Sequence, residues 1–214
     1  MVDSMSPHQT MHSFHYLDLE IMIHPEVYDP AEDTFLLLEA LTITPDETIL
    51  ELGTGCGLIA LACAYKGYRV VCTDINPFAV RLVRQNIQRN RALLKGSLEV
   101  RQGDLFSALS KNERFDLIVF NPPYLPSSKN DRSDHWFDVA TDGGRDGLRV
   151  TRRFIQGVKP HFLNTGKAYF IFSSLSPRTA LEKTLKNQGF SFKISAHRRF
   201  EGEDLDVYCI APVD

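Results

Sequence analysis

Gly53-Thr54-Gly55-Cys56-Gly57 separates an apolar run, Thr48–Leu52, from a helix-forming run, Leu58–Ala64. A strand, a glycine-rich turn and a helix in that order open an α/β unit. Glycines at alternate positions let the backbone pass beneath a ligand with no Cβ in the way. The G-x-G-x-G spacing differs from the G-x-G-x-x-G of dinucleotide folds, and no Lys-Ser/Thr pair follows as in a phosphate-binding P-loop. Glu51, just before the turn, repels a pyrophosphate. It suits a cationic ligand such as a sulfonium bearing an α-ammonium group.

Two more units of the same kind follow. Arg69–Thr73 reads as a strand ending at Asp74, and a helix is expected from about Pro77 to Leu94. Asn76 before Pro77 has the residue types of a helix cap, which leaves Asp74 for a ribose diol. The arginines at 81, 84, 89 and 91 are the solvated face of that helix. Ser97–Arg101 alternates as a half-exposed strand and ends near Asp104, which is placed for the exocyclic amine of adenine. An acid at the tip of three successive strands is hard to explain structurally. It fits a sulfonium-bearing nucleoside lying across them.

The fourth strand, Phe115–Phe120, is apolar on both faces and stops at Asn121-Pro122-Pro123-Tyr124. Consecutive prolines donate no ladder hydrogen bond, so the chain leaves the sheet here, at the carboxyl edge where ligands of open α/β sheets bind. The Asn121 side-chain oxygen and the Pro122 carbonyl each accept one N–H, and Tyr124 offers a flat surface. Together they suit a planar NH2 group; alone, the four residues are equally a proline-rich turn with an aromatic plug. Leu125–Arg145 is a polar segment long enough to expect a function. Beyond it come Gly143-Gly144-Arg145-Asp146-Gly147, a helix from about Leu148 to Phe162, a strand over Lys167–Phe172 and a helix over Arg178–Asn187. An antiparallel pair, Ser191–Phe200 with Asp204–Ala211, closes the chain.

At the other end, Tyr16–Ile21 alternates as a short strand. Val27–Thr34 carries Pro30 at a first helical position with acids in the first turn, as the helix dipole favours. Residues 1–26 are expected to be a partly flexible extension and 27–214 a single domain. His8, His12 and His15 belong to that solvated extension, and no metal site is expected. Cys56, Cys63, Cys72 and Cys209 have no C-x-x-C spacing and read as reduced thiols. The net charge of -3 and pI near 6.2 make no global case for nucleic-acid binding. With no signal peptide at Met1–Thr10 and no membrane-length apolar run, cytoplasmic residence is expected.

With these motifs in hand, the chain resembles class I S-adenosylmethionine (SAM)-dependent methyltransferases, and more narrowly the HemK/PrmC-type protein-glutamine methyltransferases. Tyr28-x-Pro30-x-Glu32-Asp33-Thr34, Asp74-Ile75-Asn76-Pro77, Asn121-Pro122-Pro123-Tyr124 and Asp142-Gly143-Gly144-x-Asp146-Gly147 carry the resemblance over residues 27–172. It is strongest to the short eukaryotic and archaeal branch, which acts on the glutamine of the Gly-Gly-Gln loop in class I translation termination factors. The resemblance implies a Rossmann-like α/β fold whose seven-stranded, mostly parallel sheet has the order 3-2-1-4-5-7-6 and helices on both faces. It implies SAM contacts from Tyr28, Thr34, Glu51, Gly53, Gly55, Asp74, Ile75, Asp104, Leu105 and Asn121, and substrate contacts from Asn121, Pro122 and Tyr124. Bacterial members carry an N-terminal helical domain for which the roughly 50 residues before the glycine turn are too few. The short branch works instead with a small zinc-binding activator.

Other readings of the same residues are an N6-adenine or other exocyclic-amine methyltransferase on DNA or RNA, with Tyr124 stacking on the base. Arginines 149, 152, 153, 198 and 199 favour that reading; with a protein substrate, 149, 152 and 153 would instead contact the release factor. A lysine methyltransferase would need a base that the motif lacks, and a non-catalytic SAM-binding scaffold leaves Asn121, Tyr124 and Asp104 unexplained.

Overall fold

The computed structural model describes residues 10–127 and 135–213. Its central sheet has the order β5-β4-β3-β6-β7-β9-β8, built from β3 (Thr48–Leu52), β4 (Arg69–Asp74), β5 (Ser97–Gln102), β6 (Phe115–Phe120), β7 (Phe162–Ser173), β8 (Phe190–Phe200) and β9 (Glu203–Pro212). Numbered from β3, this is the expected 3-2-1-4-5-7-6. β5, β4, β3, β6 and β7 run parallel, while β9 pairs antiparallel with β7 and β8. The reversal from β3–β4–β5 to β6–β7 creates a switch point at the carboxyl ends of β3 and β6, where the glycine turn and Asn121 emerge.

Helices cover both faces. α1 (Glu32–Ala40), α2 (Leu58–Lys66) and α3 (Pro77–Arg89) pack on one face, burying Leu37, Ile59, Cys63 and Val83 against Ile49, Cys72 and Val119. α5 (Arg149–Val158) and α6 (Arg178–Asn187) cover the other, with Phe154, Ile155 and Leu181 against Ile118, Phe170 and Tyr208. α3 ends at Arg89, short of Leu94, because the chain turns at Asn90 to reach β5. A 3-10 turn over Lys159–His161 ends the α5 segment, so β7 begins at Phe162 across a register shift.

The strand expected at Tyr16–Ile21 is instead a hairpin, β1 (His12–Tyr16) with β2 (Leu19–Ile23). The alternation runs straight through the turn, where Leu17 takes a left-handed φ of 53°. β2 buries Leu19, Ile21 and Ile23 against Leu58 and Leu61 of α2. This explains why α2 is apolar on every side: it lies between sheet and hairpin. The outer edge of β2 is closed by Asn86 of α3 and by Asn90, the C-cap of that helix. Asn90 Oδ1 accepts from the Glu20 N–H (3.0 Å) and its Nδ2 donates to the Glu20 carbonyl (2.9 Å). Asn86 does the same for Met22 (2.9 and 3.1 Å) and also donates to the Cys56 carbonyl in the glycine turn (2.9 Å). His8 and residues 128–134 of the long polar segment lie outside the described residues. No described helix is long and apolar enough to cross a membrane.

Candidate active site

The carboxyl ends of β3, β4, β5 and β6 open onto a cavity of 320 Å³, within the range of small-molecule sites. All twelve site residues anticipated from the sequence line it, together with Asp33, Trp136, Arg149 and Arg153.

The glycine turn is left-handed three times over: Gly53, Gly55 and Gly57 have φ of 60°, 57° and 85°. A Cβ on Gly53 would stand 3.3 Å from the Phe120 ring, and one on Gly57 3.0 Å from Val83, so neither position has room for a larger residue. Gly57 is the N-cap of α2 and has no side chain to offer. Glu51 supplies the missing acceptor from the strand below, taking the Ala60 N–H at 3.0 Å and the Thr54 hydroxyl at 2.6 Å. Burial pushes its pKa up to about 8, against the pull of those two bonds.

Asp74 was expected to stand free beside the Asn76 cap. Asn76 does cap α3, accepting the Phe78 N–H at 2.8 Å, but Asp74 is engaged as well. One of its oxygens accepts from Gly55 N–H and the other from Asn76 N–H, each at 2.8 Å. Each oxygen keeps a lone pair, so a diol remains within its capacity. Burial raises its pKa to about 6. Ile75 beside it exposes 45% of its surface, an apolar plate next to a polar tip. At the third strand end, Asp104 is already paired: Arg153 on α5 reaches its Oδ2 at 2.7 Å. Leu105 follows with a strained φ of 50°.

The opposite wall centres on Asp33, which is 3% exposed at the start of α1. Its carboxylate accepts from the Tyr28 hydroxyl (3.2 Å), the Tyr124 hydroxyl (3.1 Å) and Asn121 Nδ2 (3.0 Å), and also from Thr34. An acceptor-only carboxylate can face only the NH2 end of the Asn121 amide, so the amide orientation is determined. Asn121 Oδ1 is left buried with no partner. Burial, then the Asp33 charge, raises both phenols well above their ordinary range, so both remain donors. From the sequence Asp33 reads as one of two helix-start acids, Glu32 and Asp33. Its real partners lie 88 and 91 residues away and leave no local signal.

Tyr124 is fixed from behind by the second glycine motif. Leu125 N–H donates to the Thr141 carbonyl (3.1 Å), and Gly143 N–H to the Leu125 carbonyl (2.9 Å). Gly147 has φ 73°, and a Cβ there would lie 2.4 Å from the Tyr124 carbonyl. Asp142 accepts from Gly144 N–H (2.8 Å) and pairs with Arg149, while Asp146 pairs with Arg152. The arginines expected to form a free basic surface are thus bound to acids: 149 to Asp142, 152 to Asp146, 153 to Asp104, 198 to Glu39 and 199 to Asp204. Part of the long polar segment is a short helix, α4 (Trp136–Thr141), at the mouth of the cavity. Glu26 holds its first turn through the Trp136 N–H at 3.0 Å, a contact with no sequence signal.

Residues 20–137 match the methyltransferase small domain family. A putative protein N5-glutamine methyltransferase of Methanocaldococcus jannaschii is 38% identical over 190 residues, 88% of this chain and 93% of the relative. The human methyltransferase HEMK2 is 31% identical over 85% of this chain and 88% of its own length. Among solved structures, the Mtq2-Trm112 complex of E. cuniculi, described as responsible for methylating the termination factor eRF1, aligns with a TM-score of 0.68 and 25% identity. The alignment covers 87% of this chain and 99% of that one.

Proposed function

Since the chain belongs to the methyltransferase small domain family, we propose that it transfers a methyl group from SAM to a protein glutamine. The acceptor is the side-chain amide of the glutamine in the Gly-Gly-Gln motif of a class I translation termination factor. The observation that carries this reading is Asn121 Oδ1: a buried, partnerless acceptor, locked in direction by Asp33, beside the cavity. The relatives named for glutamine methylation and for eRF1 point the same way.

The cavity fits the cofactor. Its glycine turn leaves no Cβ over the ligand, Asp74 has lone pairs for a ribose, Ile75 gives an apolar face and Asp104 an acceptor for the adenine amine. Glu51 meets the cationic end. When bound, SAM supplies an electrophilic methyl on sulfonium. An amide nitrogen is a poor nucleophile because its lone pair is delocalised, so the work of the chain is placement. Asn121 Oδ1 and the Pro122 carbonyl each accept one N–H of the substrate amide, Tyr124 flanks its plane, and the nitrogen faces the methyl in line. Positioning of this kind contributes up to about 7–11 kcal/mol in the best-oriented model reactions. As the C–N bond formed, the sulfonium S–CH3 bond would break and release S-adenosylhomocysteine; the methylated amide would then lose its proton to solvent, so the motif needs no strong base and no covalent enzyme intermediate.

We place the enzyme in the cytosol with a small zinc-binding activator subunit. That subunit docks on the edge strand β5, whose outward N–H and C=O groups suit strand addition, or on the adjoining helix. Copurification from the native host should recover that subunit.

The test is methylation of the termination factor with labelled SAM. Mass spectrometry should find one added methyl on the glutamine, and Gln→Glu in the factor should remove it. Asn121→Ala should abolish transfer while the fold survives. Label entering nuclease-sensitive material at a comparable rate would favour an exocyclic-amine substrate instead.

A further inference from the structure

Buried polar atoms with no partner are rare in folded proteins, and each requires an explanation. Among the described residues they are Asn121 Oδ1, Ser176 Oγ, Glu203 Oε1 and Asp204 Oδ1. Arg199 Nε lies 3.7 Å from Asp204 Oδ1 and offsets its charge. The other three gather at one end of the sheet. Asn121 follows β6, Ser176 follows β7, and Glu203 opens β9, whose Leu205 pairs with the last residue of β7, Ser173. A Cβ on Gly147 would lie 2.1 Å from Ser176 Oγ and 2.4 Å from the Tyr124 carbonyl, so both crowd one glycine behind the substrate motif. Glu203 is close enough for its charge to act on the phenols of both Tyr28 and Tyr124. It does not line the cavity assigned to the cofactor.

We propose that Glu203 is a specificity-determining residue that receives a cationic side chain of the substrate segment flanking the methylated amide. The inference rests on the protein-glutamine reading above and adds to it the charge of the substrate near the target. A carboxylate oxygen shielded from water and from any donor is unfavourable unless a cation or strong donor reaches it in the working complex. Among the described residues no cation is to spare there. Arg198 is held by Glu39 of α1, Arg199 by Asp204, and both Arg178 and His197 by Asp206. The Asp33 charge deeper in the site is already met by its hydroxyl and amide donors. The tip of the β8–β9 hairpin, with Glu201, Glu203 and Asp204 against Arg199, is left net negative. A guanidinium or ammonium arriving with the substrate is the complementary partner.

The experiment uses the full chain, with any subunit it retains from its native host, and the class I termination factor of the same organism. Glu203→Gln should raise KM for the factor by about tenfold or more and change kcat by less than about threefold, with SAM affinity by calorimetry unchanged. Its unfolding midpoint should not fall, because no donor in the chain loses a bond to the shielded Oε1. Replacing the basic residues beside the Gly-Gly-Gln segment one at a time with alanine should identify one whose loss reproduces the KM rise. That loss should have little further effect on the Glu203→Gln enzyme. An unchanged KM, fully additive losses, or a drop in SAM affinity and midpoint together would overturn the assignment. If the unaltered chain transfers no methyl group to the factor, the substrate reading itself falls, and this inference with it.

Discussion

Asn121 Nδ2 donates to Asp33 Oδ2 over 3.0 Å, joining the end of the fourth parallel strand to the first turn of a helix 88 residues earlier. One carboxylate thereby sets the orientation of the Asn121 amide at the cavity. It holds the Tyr28 and Tyr124 hydroxyls at the same time.

Asp33→Asn keeps the shape but lets an NH2 group face Asn121, so the Asn121 amide is free to rotate. Turnover should fall by about 2–3 kcal/mol, on the scale of a hydrogen bond to a charged group. SAM affinity should change far less. Single-turnover kinetics beside calorimetry separates the two, and equal losses in both would remove the orienting role.

Asp74→Ala should weaken SAM binding by roughly 2–4 kcal/mol, the worth of two charge-assisted hydrogen bonds with imperfect additivity. Because Asp74 also receives the Gly55 and Asn76 N–H groups, the variant should unfold at a lower temperature as well. Unchanged affinity in calorimetry would reduce Asp74 to a brace for the turn.

The two buried acids give the site a pH signature. Asp74 rises from 3.8 to about 6 and Glu51 from 4.5 to about 8, both chiefly through burial. A raised folded-state pKa means that the proton favours the folded state. That stabilisation is complete below the unfolded values and is lost as pH rises through about 6 for Asp74 and about 8 for Glu51. A cationic ligand has the opposite preference and favours the ionised carboxylates. SAM affinity should therefore increase between about pH 6 and pH 8, with protons released on binding at neutral pH. Calorimetry in buffers of different ionisation enthalpy measures that release. Glu51→Gln should abolish most of it.

Gly147→Ala places a methyl group 2.1 Å from Ser176 Oγ and 2.4 Å from the Tyr124 carbonyl, at a φ of 73° that alanine rarely adopts. Loss of about 1–3 kcal/mol of stability is expected from the backbone conformation alone. Methyl transfer should fall sharply with SAM binding retained, since Tyr124 moves and the glycine turn does not. Retained turnover would mean that the second glycine motif does not position Tyr124.

The parallel strands were legible in the sequence because most are apolar runs and β5 alternates before its turn, and Arg178–Asn187 because both its ends are well marked. Glu51, Asp74, Asp104 and Asn121 line the cavity from the ends of strands that the sequence locates, whereas Tyr28 and Thr34 come from the segment around the start of α1. What escaped depends on contacts across the fold. In the sequence Asp33, Glu26 and Arg153 look like a helix-start acid, a loop acid and an arginine for an external partner. Their roles come from Asn121, Trp136 and Asp104, each far away in the chain. The β1–β2 turn escaped because Leu17, which takes the positive φ, is not a residue type that favours it, and the apolar alternation continues across it.

The paired amides of Asn86 and Asn90 also set an order of events during synthesis. β2 leaves the ribosome with one edge unpaired and its apolar face bare, and the groups that close that edge follow 64 and 70 residues later. At bacterial to eukaryotic translation rates the interval is roughly 3–14 s, long compared with hairpin formation itself. Through that interval the hairpin's contacts with Asn86 and Asn90 cannot form. It waits as an open clasp until α3 arrives, and the closing of that clasp, through Asn86 and the Cys56 carbonyl, is also the moment at which the glycine turn acquires its final support.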